Sequence, residues 1–331
     1  MNRREFLISS TAAVAAASTR AAWAQPPAGA KASTLDRISI MTLNFQRMLK
    51  LPDLPDGPER TLELFDIPEM LADRYGVHKV EFQHYHIPST EPSFLKELRA
   101  QIEKRKSRMT QINLEFGNLN MSAPQQRDRL MAIDLTKMWI DHAVMLGAQR
   151  VMINQGGPAG QPTHENKIYG IPTLKAMADY GRSKGIIVSA ETRGAGGGSR
   201  GAARGAAPGA AAAAPPPAAP APSPAPTGPP PLTGLAAWTL LAEILKGAGA
   251  YSNVDVGGAG AANQEELHTC LKMLFPMTAG SMHTRVNPRW DLATAIKFLE
   301  HDLGYKGLYT IESSGGHEGT KEIYDVVVAT L

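Results

Sequence analysis

Apolar and polar positions along the chain alternate between short apolar runs and longer helical patterns. Eight short runs, rich in β-branched and other apolar residues, are typical of the buried strands of a parallel sheet. These predicted strands cover residues 38–45, 79–84, 110–116, 150–154, 186–192, 252–256, 280–286 and 307–313.

Six segments between these strands have a helical pattern. Glycine stands where a helix would end at Gly147, Gly185 and Gly304. Eight alternating units predict an α/β protein with one (β/α)₈ TIM barrel. An open doubly wound sheet is the alternative, but no GxGxxG turn follows the first strand. The predicted helices cover residues 92–106, 125–146, 171–184, 233–247, 263–274 and 291–303.

A low-complexity insert follows the fifth predicted strand. Of the 38 residues in 194–231, 33 are Ala, Pro or Gly, and none has a large apolar side chain. Such a segment buries too little surface to offset its ordering entropy, so we expect it to be disordered or polyproline-like. It interrupts a loop within the barrel domain, which we place at residues 36–331.

The first 24 residues resemble an export signal. Arg3 and Arg4 form a twin-arginine pattern, an Ala-rich apolar stretch follows, and Ala22-Trp23-Ala24 forms a small-x-small cleavage site. The stretch is too short and too weakly apolar to be a permanent membrane anchor. We therefore expect residues 1–24 to be a cleaved signal peptide read by the twin-arginine (Tat) export machinery. Residues 25–35 would be a linker, and the mature protein would be periplasmic or secreted.

The net charge of +3 comes from the appendages rather than from the barrel. Residues 1–24 contribute +2, the insert contributes another +2, and the remaining residues therefore sum to −1. This distribution argues against nucleic acid as a partner. The lone cysteine, Cys270, excludes an internal disulfide and a metal cluster built on cysteines.

Metal-competent side chains stand at the ends of four successive predicted strands. In a barrel these ends form one rim, with neighbouring strands ~4.8 Å apart, so that four of them can converge on one ion. An oxygen-rich set with one imidazole favours a divalent ion such as Mn²⁺, Mg²⁺ or Co²⁺, with Zn²⁺ as an alternative. The candidate metal ligands are Glu191, Asp255, His283 and Glu312.

Polar residues at other strand ends are candidates for binding a substrate. Glu81, His84 and His86 surround Tyr85 at the end of the second strand, and such a set suits a sugar. A capped polar loop is the alternative interpretation of this segment. The further candidates are Asn44 after the first strand, Gln155 after the fourth and Arg285 on the seventh.

With these residues the chain resembles the sugar phosphate isomerase/epimerase superfamily, the xylose-isomerase-like TIM barrels. The resemblance covers nearly all of residues 36–331 except the insert. Ketose 3-epimerases of that superfamily carry the same metal-binding quartet on strands five to eight. Once the insert is removed, successive members of the quartet are 26, 28 and 29 residues apart, which matches one strand–helix unit per ligand.

Three features depart from the superfamily pattern. Many members have a histidine three residues after the strand-six aspartate, where this chain has Gly258. The usual His-x-Lys of strand seven is replaced by His283-Thr284-Arg285, which keeps the charge but not the geometry. Only His84 could match a histidine of the three-zinc site of endonuclease IV relatives, so a DNA-repair nuclease is disfavoured.

The resemblance implies proton transfer through an enediolate. Glu191 and Glu312 would act as ligands and as acid and base, while Asp255 and His283 would hold the ion and Arg285 would orient a substrate oxygen or anion. The predicted function is a metal-dependent isomerase or epimerase for a free sugar, keto-sugar or glycoside. The alternatives are a lyase that cleaves an oxidised (3-keto) glycoside by β-elimination, and a non-catalytic secreted sugar-binding barrel. A homo-oligomer is left open.

Overall fold

Eight parallel strands pair in chain order, and the last strand pairs with the first to close a barrel. The fold is a computed structural model that describes residues 34–51, 57–116, 121–153, 164, 166–191, 232, 234–258 and 260–331. The predicted (β/α)₈ TIM barrel is therefore confirmed. The strands are β1 Ile38–Met41, β2 Lys79–Gln83, β3 Arg108–Leu114, β4 Arg150–Ile153, β5 Ile187–Glu191, β6 Tyr251–Asp255, β7 Thr278–Thr284 and β8 Leu308–Ile311.

A helix follows each strand within the described residues. Several of these helices end at a glycine with a left-handed backbone, as at Gly147 (φ 74°) and Gly185 (φ 73°). No helix in the described part of the chain combines the length and the apolar character needed to cross a membrane. The helices are α1 Ile67–Tyr75, α2 Pro92–Lys104, α3 Gln126–Leu146, α4 Ile171–Lys184, α5 Gly234–Ala248, α6 Gln264–Leu274, α7 Leu292–Lys297 and α8 Gly316–Thr330.

The apolar core lies between the strands and the helices, whereas the interior of the barrel is largely polar. Ile40, Val188 and Val254 belong to the apolar core cluster. Inside the barrel, Ser39 Oγ lies 3.0 Å from Thr110 Oγ1 on the strand two positions away. TIM-barrel interiors are usually filled by branched apolar side chains, whereas the described interior of this barrel contains many buried polar side chains.

Some predicted bounds were wrong. The first predicted strand, 38–45, ends at Met41 because Thr42–Phe45 curls into a 3₁₀ turn, where Thr42 Oγ1 accepts a hydrogen bond from the backbone of Gln83 at 3.1 Å. The last predicted helix, 291–303, divides into α7 and a π-helical turn at Phe298–Asp302. Two helices, α1 and α8, were absent from the six predicted patterns, since α1 has only nine residues and α8 begins with glycines.

Several predictions lie outside the described residues. These are the signal peptide at 1–24, most of the linker, the insert at 194–231 and the substrate candidate Gln155.

Candidate active site

Three of the four predicted metal ligands come together at the carboxyl ends of β5, β7 and β8. Glu191 is the last residue of β5, His283 lies in β7, and Glu312 directly follows β8. One ligand atom from each of these residues lies within 4.8 Å of the other two. All three side chains are buried. Residues alternate between the two faces of a strand, so the inward direction of these side chains follows from their strand positions.

His283 lies at the centre of this cluster. Its Nδ1 is 2.9 Å from Glu191 Oε1 and 3.1 Å from Glu312 Oε2. Burial alone lowers the pKa of His283, but the nearby carboxylates outweigh it and raise that pKa well above its usual value. The cluster is thus a strongly negative pocket around one imidazole.

Asp255, the fourth predicted ligand, is paired with Arg285. Asp255 Oδ2 accepts from the guanidinium of Arg285 at 2.7 Å, and Asp255 Oδ1 accepts from the backbone of Gly258 at 2.8 Å. Burial raises the pKa of Asp255 to about 6, the carboxylates of Glu312 and Glu191 add to this rise, and Arg285 opposes it. The structure therefore places Asp255 beside the three-ligand cluster, in an ion pair of its own.

Arg285, a predicted substrate-binding residue, lies between two carboxylates. Besides its bond to Asp255, its Nη1 is 3.6 Å from Glu312 Oε1. The negative charge of Asp255 is the largest cause of the raised pKa of Arg285. Its side chain keeps 20% of its surface exposed. Arg285 thus links the acidic cluster to the outside of the barrel.

Glu81, another predicted substrate residue, lies beneath the imidazole and is fully buried. Its Oε1 is 2.6 Å from His283 Nε2, on the side of the ring opposite Glu191 and Glu312. Asn113 donates to the same oxygen at 2.5 Å. Asn113 was not among the predicted site residues, although Gln111 and Asn113 are alternating polar residues in a buried strand, a pattern that indicates an inward-facing polar row.

The remaining predicted substrate residues occupy different surroundings. His84 Nδ1 accepts from the backbone of Glu115 at 3.2 Å, and its ring packs edge-on against Trp139. His86 is buried, with Nδ1 2.8 Å from Thr42 Oγ1. Both residues are thus held by the polypeptide itself at the β2 end of the rim.

Asn44 connects the first and last units of the barrel. Its side chain donates to Thr320 Oγ1 at 3.0 Å and to the carbonyl of Ile311 at 3.3 Å, and it accepts from the backbone of Ser313 at 2.7 Å. These bonds hold the turn that carries Glu312, so Asn44 supports the site from behind.

Two glycines after β6 make room for Arg285. A Cβ on Gly257 would lie 2.7 Å from the carbonyl oxygen of Arg285. A Cβ on Gly258 would lie 2.8 Å from Asp255 Cγ and closer still to the guanidinium of Arg285. Any side chain at position 258 would therefore displace the Asp255–Arg285 pair.

No family model and no curated protein matches the sequence. Solved structures are nevertheless similar along most of the chain. A D-psicose 3-epimerase from Clostridium cellulolyticum H10, with D-tagatose, has 11% identity and a TM-score of 0.61, and the match covers 88% of this chain and 95% of that one. A xylose isomerase domain protein from Planctomyces limnophilus has 13% identity and a TM-score of 0.57, over 89% and 96% of the two chains. A 3-keto-D-glucoside 4-epimerase from E. coli has 9% identity and a TM-score of 0.58, over 89% and 98%.

The cluster fits a divalent metal ion. It offers two carboxylates and one imidazole, all buried, with ligand atoms close enough to share one ion. This set suits the oxygen- and nitrogen-binding divalent ions. The excess of carboxylates around His283 is the charge environment that a cation would neutralise.

Proposed function

We propose that this protein is a metal-dependent sugar isomerase or epimerase that moves a proton on a carbon next to a carbonyl or hydroxyl group. The observation that carries the proposal is the convergence of Glu191 and Glu312 on His283, with ligand atoms within 4.8 Å. The fold supports it, because the neighbours include a D-psicose 3-epimerase and a 3-keto-D-glucoside 4-epimerase.

Glu191, His283 and Glu312 would hold the ion. Asp255 would become a fourth ligand when its carboxylate is released from Arg285. Mn²⁺, Mg²⁺ or Co²⁺ is favoured for this set, with Zn²⁺ as an alternative. When bound, such an ion would supply Lewis acidity, which would stabilise the negative charge left on substrate oxygens by proton removal.

The protein's own carboxylates would carry the proton. Glu191 ends β5 and Glu312 directly follows β8, so one can take a proton from a substrate carbon and the other can return it. Both are buried at the rim of the barrel, where they would face a bound substrate. Arg285, one fifth exposed, would donate to a substrate oxygen at the mouth of the barrel.

A free sugar, keto-sugar or glycoside is the proposed substrate class, because we also propose export through the twin-arginine route to the periplasm or beyond. Phosphorylated sugars are scarce outside the cytoplasm. The keto-glucoside named for one neighbour favours a second candidate, a lyase that removes a proton beside the keto group and expels the glycosidic oxygen. A non-catalytic sugar-binding barrel is the third.

Product identification by NMR distinguishes these three functions. Metal-loaded protein would be incubated with a panel of ketohexoses, aldoses and 3-keto-glycosides. An epimer or isomer supports the proposal, and a released aglycone supports the lyase. Sugar binding without any product across the panel would leave the binding barrel and overturn the enzymatic proposal.

Metal analysis tests the ligand set separately. We expect His283→Ala and Asp255→Ala to lower metal occupancy sharply, because a fixed barrel rim cannot easily supply another donor. Occupancy is counted per folded molecule, because each of these variants also leaves a buried charged partner unpaired. Full occupancy in both variants would place the metal elsewhere.

A further inference from the structure

Glu81 is a buried carboxylate that the proposed chemistry does not use. It lies in the middle of β2, and its side chain is fully buried inside the barrel. A buried carboxylate is costly unless it is paired. Its position below His283, away from the mouth, argues against the substrate contact predicted from the sequence.

The two nitrogens of the His283 imidazole face different carboxylates. Nε2 is 2.6 Å from Glu81 Oε1, while Nδ1 is 2.9 Å from Glu191 Oε1. A carboxylate that accepts from Nε2–H fixes the tautomer in which Nδ1 carries the lone pair, and it increases the basicity of that lone pair. Nδ1, which faces Glu191 and Glu312, is then the nitrogen that would bind a cation in exchange for its proton.

A row of amides holds Glu81 in this orientation. Asn113 Nδ2 donates to Glu81 Oε1 at 2.5 Å, and Gln111 Nε2 donates to Asn113 Oδ1 at 3.1 Å. Gln111 also lies 3.4 Å from Asn253 Oδ1 on β6. This row connects three strands across the barrel, so the position of the Glu81 carboxylate is set by the barrel rather than by a loop.

The other oxygen of Glu81, Oε2, is buried and makes no hydrogen bond to any described residue. Both hydrogen bonds to the carboxylate therefore fall on Oε1, which is the atom that faces His283. Glu81 and Asn113 together form a support for one ring nitrogen.

We propose that Glu81 is a positioning residue that orients His283 for metal binding and never touches the substrate. This inference rests on the proposed function, because it assigns a role within the proposed metal site. Asn113 is the second member of the same support. Removing the negative charge of Glu81 should weaken metal binding while leaving the barrel folded.

The test compares Mn²⁺ and Co²⁺ affinities of the wild type and Glu81→Gln, measured by competition with a chromophoric chelator. Loss of such a supporting carboxylate typically costs about 10- to 100-fold in metal affinity, and we expect a loss in this range. The absorption spectrum of bound Co²⁺ should shift as well, a change that a merely structural role would not produce. Gln83→Leu is the matched control, because Gln83 lies two residues further along β2 and contacts Met41; its affinity should stay within about threefold of the wild type.

Asn113→Ala keeps the test decisive if Glu81→Gln does not fold. That variant leaves the charge in place and removes one of the two donors to Glu81, so we expect a smaller loss of affinity. If Glu81→Gln folds and has the metal affinity and the Co²⁺ spectrum of the wild type, the inference is overturned while the proposed function is unaffected. If only Asn113→Ala folds, the same result in that variant overturns the inference. A wild type that binds neither metal would overturn the proposed function and the inference with it.

Discussion

Gly258 is the position where one added methyl group tests the geometry of the site most sharply. It follows β6, and its backbone N–H donates to Asp255 Oδ1 at 2.8 Å. An added Cβ would lie 2.8 Å from Asp255 Cγ and closer still to the guanidinium of Arg285. We therefore expect Gly258→Ala to push the carboxylate and the guanidinium apart.

Two effects determine the size of the change. Forcing an extra methyl group into a filled site costs about 1–3 kcal/mol. The side chains of Arg285 and Asp255 are 20% and 5% exposed, so weakening their ion pair adds to this. The weakened ion pair adds about 1–2 kcal/mol to the cost of the methyl group. This is less than the cost of deleting one partner of a buried pair, because both charges remain and Arg285 is partly exposed to water. The sum is about 2–5 kcal/mol, which corresponds to a Tm lower by about 4–20 °C.

Thermal unfolding followed by circular dichroism in the presence of a chelator measures this change. Gly57→Ala is the control, because an added Cβ there has no atom within 4 Å, and its free energy of unfolding should change by no more than about 0.5 kcal/mol. If Gly258→Ala unfolds at the same temperature as Gly57→Ala and the wild type, the close packing around the Asp255–Arg285 pair is refuted.

Four further predictions follow from the same structure and sequence. Asn44→Ala should lower the free energy of unfolding by about 2–4 kcal/mol, because it leaves buried groups unpaired. It should also lower metal affinity per folded molecule, because the bonds of Asn44 hold the turn that carries Glu312; denaturation and chelator competition check the two effects. The folded-state pKa of Asp255, about 6, lies above its unfolded value of about 3.9. The metal-free wild type should therefore become less stable relative to Asp255→Asn as pH rises from about 4 to 7, and show no such trend below pH 4, in urea titrations. Deleting residues 194–231 should change the free energy of unfolding by no more than about 2 kcal/mol, since halving the length of a loop changes its free energy of closure by only ~0.6 kcal/mol. Metal binding should persist in this variant. Changing Arg3 and Arg4 to Lys should block export, and normal periplasmic recovery of that variant would contradict the twin-arginine route.

The sequence was sufficient to predict the barrel and three of the side chains that meet at its rim. The strand–helix alternation shows the number of units, and a polar residue at the end of a buried parallel strand must face the rim. That logic selected Glu191, His283 and Glu312, which the structure brings together.

The partner of each side chain could not be predicted in the same way. Asp255 stands at an equivalent strand end, but Arg285 reaches it at 2.7 Å, and the choice between a metal and a guanidinium depends on side-chain rotamers and on the space left by Gly258. Glu81 was expected at the substrate because it lies near a strand end in sequence. The pairing of β2 with β3 shifts between Val80 and Glu81, and such an irregularity depends on tertiary packing that no local pattern records.

Solvent deuterium exchange is the measurement that tests the central claim most directly. Metal-loaded wild type and Glu312→Gln, matched for metal content, would be incubated in D₂O with a converted sugar or keto-sugar and followed by NMR. Glutamine keeps an oxygen for coordination but cannot accept the proton. We predict deuterium at one substrate carbon with the wild type and none with Glu312→Gln. Equal incorporation by both proteins, or turnover by the wild type without incorporation, would contradict proton transfer through Glu312.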